Sequence, residues 1–148
     1  MSAAIVLALL IGPLADPAGD KPETVTRSGK VLLLTEALKA RGVPADPDPI
    51  AREVVLVESD GSVSPIVPDE ASRALFTDAR LRDRRAEITA RKFRGLPHLQ
   101  VVSLRVEEGG VLRTPEYYCD VCTISVRYPQ VCPCCQGPME LRMRPETR

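Results

Sequence analysis

The clearest alternation of apolar and polar residues lies in LQVVSLRVEEGGVLRTPEYY, where Val102, Leu104 and Val106 fall on one side and Ser103, Arg105 and Glu107 on the other. A period of two is the mark of a half-buried strand. Gly109-Gly110 then turns the chain into a further strand that runs directly into Cys119. Upstream, TVTRSGKVLLL reads as a first strand, and TEALKARG as one or two helical turns closed by Gly42. VPADPDPI, with its three prolines, reads as a loop. In REVVLVESDGSVSPIVP two apolar runs flank Asp60-Gly61, a strong hairpin signal, and Pro65 marks the second run as an edge strand. DEASRALF predicts a brief helix capped by Asp69, with Ala71, Ala74 and Leu75 on one face and Phe76 as a core plug. RAEITARKF follows, with Ile88 and Phe93 among charged residues.

The order is therefore three strands, a helix and two strands, over residues 24–118. That order resembles the OB-fold, a five-stranded, partly open barrel with a helix in the same place. The expected fold class is mainly β: an OB-fold-like barrel with one short helix, followed by a zinc-ribbon-like hairpin over residues 119–148. Strands up to Tyr118 are expected to carry a core of their own.

The amino end changes the picture in one respect. SAAIVLALLIGPLA is uncharged and apolar, too short for a bilayer span but of signal-peptide length. Residues 1–18 are expected to be a signal peptide, which makes the protein exported, periplasmic or secreted, with no membrane span in the mature chain. Residues 19–23 read as a polar linker.

Size and charge narrow the function. The 148 residues, 44% of them hydrophobic, suffice for one domain with a small appendage. Twenty basic and twenty acidic residues cancel, so no overall field draws the chain to nucleic acid or an anionic membrane. The stretch from Arg73 to Arg94 is Arg-rich and reads as a solvated face. The OB resemblance implies oligonucleotide binding as one expectation, but bases need aromatic platforms. The chain has no Trp, and Tyr117 and Tyr118 point to opposite faces of one strand. Nucleic acid is not the favoured partner.

All five cysteines lie in YCDVCTISVRYPQVCPCCQGPM. Cys119 and Cys122 form one C-x-x-C bite and Cys132 and Cys135 another, and two such bites side by side supply four sulfurs for a tetrahedral zinc ion. TISVRYPQV reads as a short hairpin between them. CPCC followed by Gly137 resembles the knuckle of zinc-ribbon proteins, which implies a structural Zn2+ clamping a segment too small to fold alone. The arm between the bites is shorter than usual for that family. Cys134 is a fifth thiol, an alternate ligand that competes with Cys135 or stays free. Arg127, Arg142 and Arg144 are near enough in sequence to offset a thiolate cluster. YYCDVC and CPCCQGPMELR together resemble segments of uncharacterised exported bacterial proteins, a family that implies no activity.

Two other chemistries stay open. Export favours disulfides within each bite, which would be strained and therefore redox-active. Met139 and Met143, beside the thiols, suit Cu(I), although MELRM also alternates as a strand with Met139, Leu141 and Met143 on one face. Haem attachment is excluded because Thr123, not His, follows Cys122. The single histidine, His98, reads as a loop residue, with no triad or phosphate-binding loop around it. The expectation is a metal-holding, non-enzymatic module, with a thiol-redox or Cu(I)-handling protein as its rival.

Overall fold

A computed structural model describes residues 21–144, so the expected signal peptide lies outside the described residues. The architecture is mainly β. Eight strands form one antiparallel sheet: β1 (Glu23–Leu33), β2 (Val54–Glu58), β3 (Val63–Pro65), β4 (Arg85–Lys92), β5 (Leu99–Glu108), β6 (Val111–Cys119), β7 (Ile124–Val126) and β8 (Glu140–Arg144). Their spatial order is β3-β2-β1-β4-β5-β6-β7, with β8 added on β6. Three short helices, α1 (Leu34–Ala40), α2 (Pro47–Ile50) and α3 (Arg73–Thr77), and a 3-10 turn (Ala79–Leu81) complete it.

Strand β1 is central, pairing with β2 through residues 29–33 and with β4 through residues 23–30. Gly29 and Lys30 are thus paired on both sides. A Cβ at Gly29 would lie 2.3 Å from the Val57 carbonyl oxygen, so only glycine lets β1 and β2 approach this closely. The β2–β3 turn is the expected one: Gly61 has φ 85°, and the Asp60 carboxylate accepts from the Ser62 N–H at 2.8 Å. Pro65 lies on the outermost strand, where a missing N–H breaks no ladder on the open side. Beyond it, Ile66 forms an isolated parallel bridge to Leu99, and the Val67 N–H donates to the Leu99 carbonyl at 3.0 Å. The end of β3 is thereby brought against the start of β5.

Four expectations change. VPADPDPI contains one helical turn, α2, because proline is tolerated at a helix start, where the N–H has no partner to lose; the Asp46 side chain caps it by accepting from the Asp48 N–H. The alternation in β5 is interrupted by a bulge. Thr89 faces Ser103 but the next residue, Ala90, faces Val101, so Val102 is left unpaired and 41% exposed. Leu99 and Val101 point inward in its stead, with Leu104 and Val106. Phe76 is only partly buried, and the plug from α3 is Leu75 with Ala74. Asp69 closes the turn before α3, accepting from the Ser72 N–H at 3.0 Å, while Ser72 is the residue at the helix start.

Much of the Arg-rich stretch has local work. Arg82 donates to the Leu75 carbonyl at the end of α3 at 2.8 Å, Arg84 to the Arg80 carbonyl, and Arg73 lies 4.5 Å over the Tyr128 ring.

Substituting Gly29→Ala forces β1 and β2 apart. It is expected to cost about 1–3 kcal/mol, as overpacking does, read as a lower denaturant midpoint with an unchanged slope; an unaltered midpoint would contradict the close approach.

Candidate metal centre

Strand β6 changes partners along its length. Residues 111–113 pair with β5, residues 114–118 with β8, and residues 117–119 with β7. Its second half is therefore the middle strand of a small ribbon that grows out of the main sheet. Ile124–Val126 folds back on Tyr117–Cys119, which puts the first C-x-x-C in the turn of the β6–β7 hairpin. TISVRYPQV does not pair with itself as expected: Pro129 cannot donate to a ladder, and Tyr128 instead packs beneath Arg73.

The two bites have the same backbone shape. The Thr123 N–H donates to the Cys119 carbonyl at 2.8 Å, and the Gln136 N–H to the Cys132 carbonyl at 2.9 Å. Thr123 and Gln136, each directly after a bite, have left-handed φ of 55° and 60°. Each four-residue turn thus closes on its own first cysteine and aims both sulfurs to one side. In the second turn the Cys132 N–H also donates to the Gly137 carbonyl at 2.9 Å, and a Cβ on Gly137 would stand 3.3 Å from the Cys135 sulfur.

The turns face one another. The Sγ atoms of Cys119, Cys122, Cys132 and Cys135 all lie within 4.8 Å of each other, and those of Cys119 and Cys135 are 3.6 Å apart. Tetrahedral sulfurs at ordinary zinc–thiolate lengths stand about 3.8 Å apart. Cys119 and Cys132 are closed to solvent, Cys122 is half-buried and Cys135 is exposed. Backbone N–H groups of Cys135 and Cys134 pull the Cys132 thiol down to about 7. The neighbouring Cys134 thiol, then burial, push Cys122 up. At Cys119 the Cys122 N–H favours the thiolate, but burial and the Cys135 and Cys132 sulfurs outweigh it and the thiol is raised. One sulfur ionises readily and its neighbours resist, as crowded thiols must unless a cation sits among them.

The other candidate residues are placed apart from the four sulfurs. Cys134 is exposed and outside the cluster. Met139, Leu141 and Met143 share the face of the tail that packs against the core. His98 is exposed between β4 and β5, outside the cluster. Arg142 pairs with Asp120 and lies 3.9 Å over the Tyr118 ring, and Arg144 pairs with Glu116 at 3.1 Å, so both compensate carboxylates; Arg127 is exposed.

A residue pair that the sequence did not single out ties the ribbon down. Tyr117 is wholly buried at the ribbon's centre, and its hydroxyl donates to Asp78 Oδ2 at 2.6 Å. Asp78 also accepts from the Arg80 N–H at 3.0 Å, from its Nε at 2.9 Å and from its Nη2 at 2.7 Å. Tyr117 belongs to the main hydrophobic cluster, with Val126, Leu141 and Met143 packed on it, so the tail and the sheet share one core rather than having separate ones.

The Arg80 guanidinium, with the Tyr117 hydroxyl assisting, holds the Asp78 carboxyl down at about 2, against an ordinary 3.8. A depressed carboxyl stabilises the fold above its unfolded value, and that share is lost as pH falls from near 4 through about 2. Acid unfolding of Asp78→Asn is expected to lack this component. Tyr117→Phe, leaving a charged acceptor one donor short, is expected to cost about 1–3 kcal/mol at neutral pH; wild-type stability in both variants would contradict the anchor.

Set against known proteins, the chain matches no family model, no curated protein and no solved structure.

Proposed function

We propose that this protein is a non-enzymatic binding module whose carboxyl-terminal ribbon is held by one structural zinc ion on Cys119, Cys122, Cys132 and Cys135. The observation that carries this reading is the convergence of four sulfurs from two turns of matching backbone shape. Their spacing fits a tetrahedral ion, and an all-thiolate set suits zinc. The bound ion would supply charge neutralisation and crosslinking, with four protein ligands leaving no open position for water and hence no hydrolytic chemistry.

The main sheet is read as an OB-like barrel. Support comes from the β3-β2-β1-β4-β5 order, the placing of α3 between β3 and β4, and the parallel bridge of Ile66 to Leu99. Oligonucleotide binding is disfavoured because all three tyrosine rings are engaged: Tyr117 is in the core, and Tyr118 and Tyr128 lie under Arg142 and Arg73. Cu(I) handling would have to rely on thiolates alone, since Met139 and Met143 pack on the core. Export is inferred from the amino-terminal composition only.

One observation favours a second reading, redox thiols: the Cys119 and Cys135 sulfurs are close enough for a bridge to form between the turns with little movement. Metal content separates the two. Chelation of the zinc-loaded protein at neutral pH is expected to release one zinc and expose four newly reactive thiols. It should also abolish the ribbon's tyrosine near-ultraviolet signal, which added zinc restores. Protein that carries disulfides and no metal, and ignores the chelator, would overturn the zinc reading in favour of the redox one.

A further inference from the structure

Strand β5 has β4 beside it along one edge, but on its other edge it has partners only at its two ends. At Leu99 it meets the end of β3, through the bridge to Ile66 and the Val67 N–H, and its residues 106–108 pair with residues 111–113 of β6. Among the described residues no strand pairs with residues 100–105 on that edge. β6 leaves β5 after Arg113 to pair with β8 and β7, and Pro115, two residues on, has no N–H with which to prolong a ladder. A groove of about 270 Å3 lies at this gap. Val102 and Ser103 of β5, both exposed at the bulge, line it with Ala71 and Ala74 at α3 and with Val126 and Arg127 of β7. A second recess of about 420 Å3 shares Ala71, Val102 and Arg127 and reaches Gln100, so the edge is open from Gln100 to Leu104; its other charges are Arg91, Asp69 and Glu70. In the first groove Glu116 is taken by Arg144 at 3.1 Å, which leaves Arg127 exposed and without an ion pair among the described residues.

We propose that the free edge of β5 is the docking site of this module, and that its occupant is an extended peptide of a partner protein, added as a strand, with apolar side chains against Val102 and Val126 and a carboxylate on Arg127. The proposal rests on the reading above of the protein as a binding module and names the class of partner. An unpaired row of N–H and C=O groups is satisfied by another extended backbone, and six residues of edge span about 20 Å, the length of an ordinary strand. The small side chains of Ala71 and Ala74 leave room beside the edge for an added chain. Backbone pairing supplies affinity, and the single uncompensated guanidinium in the first groove selects an acidic residue over a basic one. The ribbon has a use in this arrangement, because β7 carries Val126 and Arg127 to the groove.

A short fluorescein-labelled peptide of alternating valine and threonine around one central glutamate, mixed with the zinc-loaded full chain, tests this. Its anisotropy is expected to rise, and the amides of residues 100–105 are expected to exchange more slowly in the complex. N-methylation of the peptide's alternate backbone nitrogens is expected to abolish both effects, since it removes the donors that a strand offers. Replacing the glutamate by lysine is expected to weaken binding about fivefold, as one exposed ion pair allows, and Arg127→Gln to erase that preference while keeping the sensitivity to N-methylation. Equal binding of the N-methylated peptide, or a zinc-loaded chain that binds no peptide, would overturn the strand site and leave the zinc reading standing; a zinc-free chain that binds the peptide as described would do the reverse. A glutamate preference unchanged in Arg127→Gln would overturn the assigned charge contact. Exchange of residues 100–105 that speeds in the peptide-free chain on dilution, or on removal of residues 145–148, would give the groove to a second copy or to the chain's own end and overturn the proposal.

Discussion

Thiolates brought together repel, and the fold brings four of them within 4.8 Å of one another. Backbone N–H groups stabilise charge on Cys132, while burial and neighbouring sulfurs keep protons on Cys119 and Cys122. A divalent cation bound among them would reverse that balance, replacing mutual repulsion with four attractive bonds and leaving a net charge of about −2. The ribbon around the site is otherwise slight: β7 has three residues and β8 five, and a two- or three-stranded sheet of that length buries too little to stand alone. A common ion for its two turns would supply the missing restraint.

The second restraint works from the centre of the ribbon. β6 passes from the main sheet into the tail without a break, and Tyr117 on it reaches into the main core to Asp78. The buried phenol and carboxylate are satisfied there by each other and by the solvent-facing Arg80 guanidinium, at the point where tail and sheet meet. Met139, Leu141 and Met143 are then free to act as packing rather than as ligands, covering that junction.

Local signals carried a good deal of this. Asp60-Gly61, Pro65 and Gly109-Gly110 each impose a turn or an edge through their own backbone preferences, and the structure has a turn or edge at each. The C-x-x-C spacing likewise lets neighbouring sulfurs reach one point, and the structure brings both bites to the same point. What stayed hidden depended on distant partners. The bulge at Val102 lies within two adjacent valines, where sequence alone cannot say which one faces inward. Ile124–Val126 could pair forward or back, and only β6 decides. The Tyr117–Asp78 bond spans 39 residues, with no periodic pattern to announce it.

X-ray absorption at the zinc edge of the purified protein addresses the central claim most directly. The account predicts one zinc per chain with four sulfur neighbours at about 2.3 Å and no nitrogen or oxygen in the first shell. A folded chain without zinc, or an ion bound by fewer sulfurs with light-atom ligands, would contradict it.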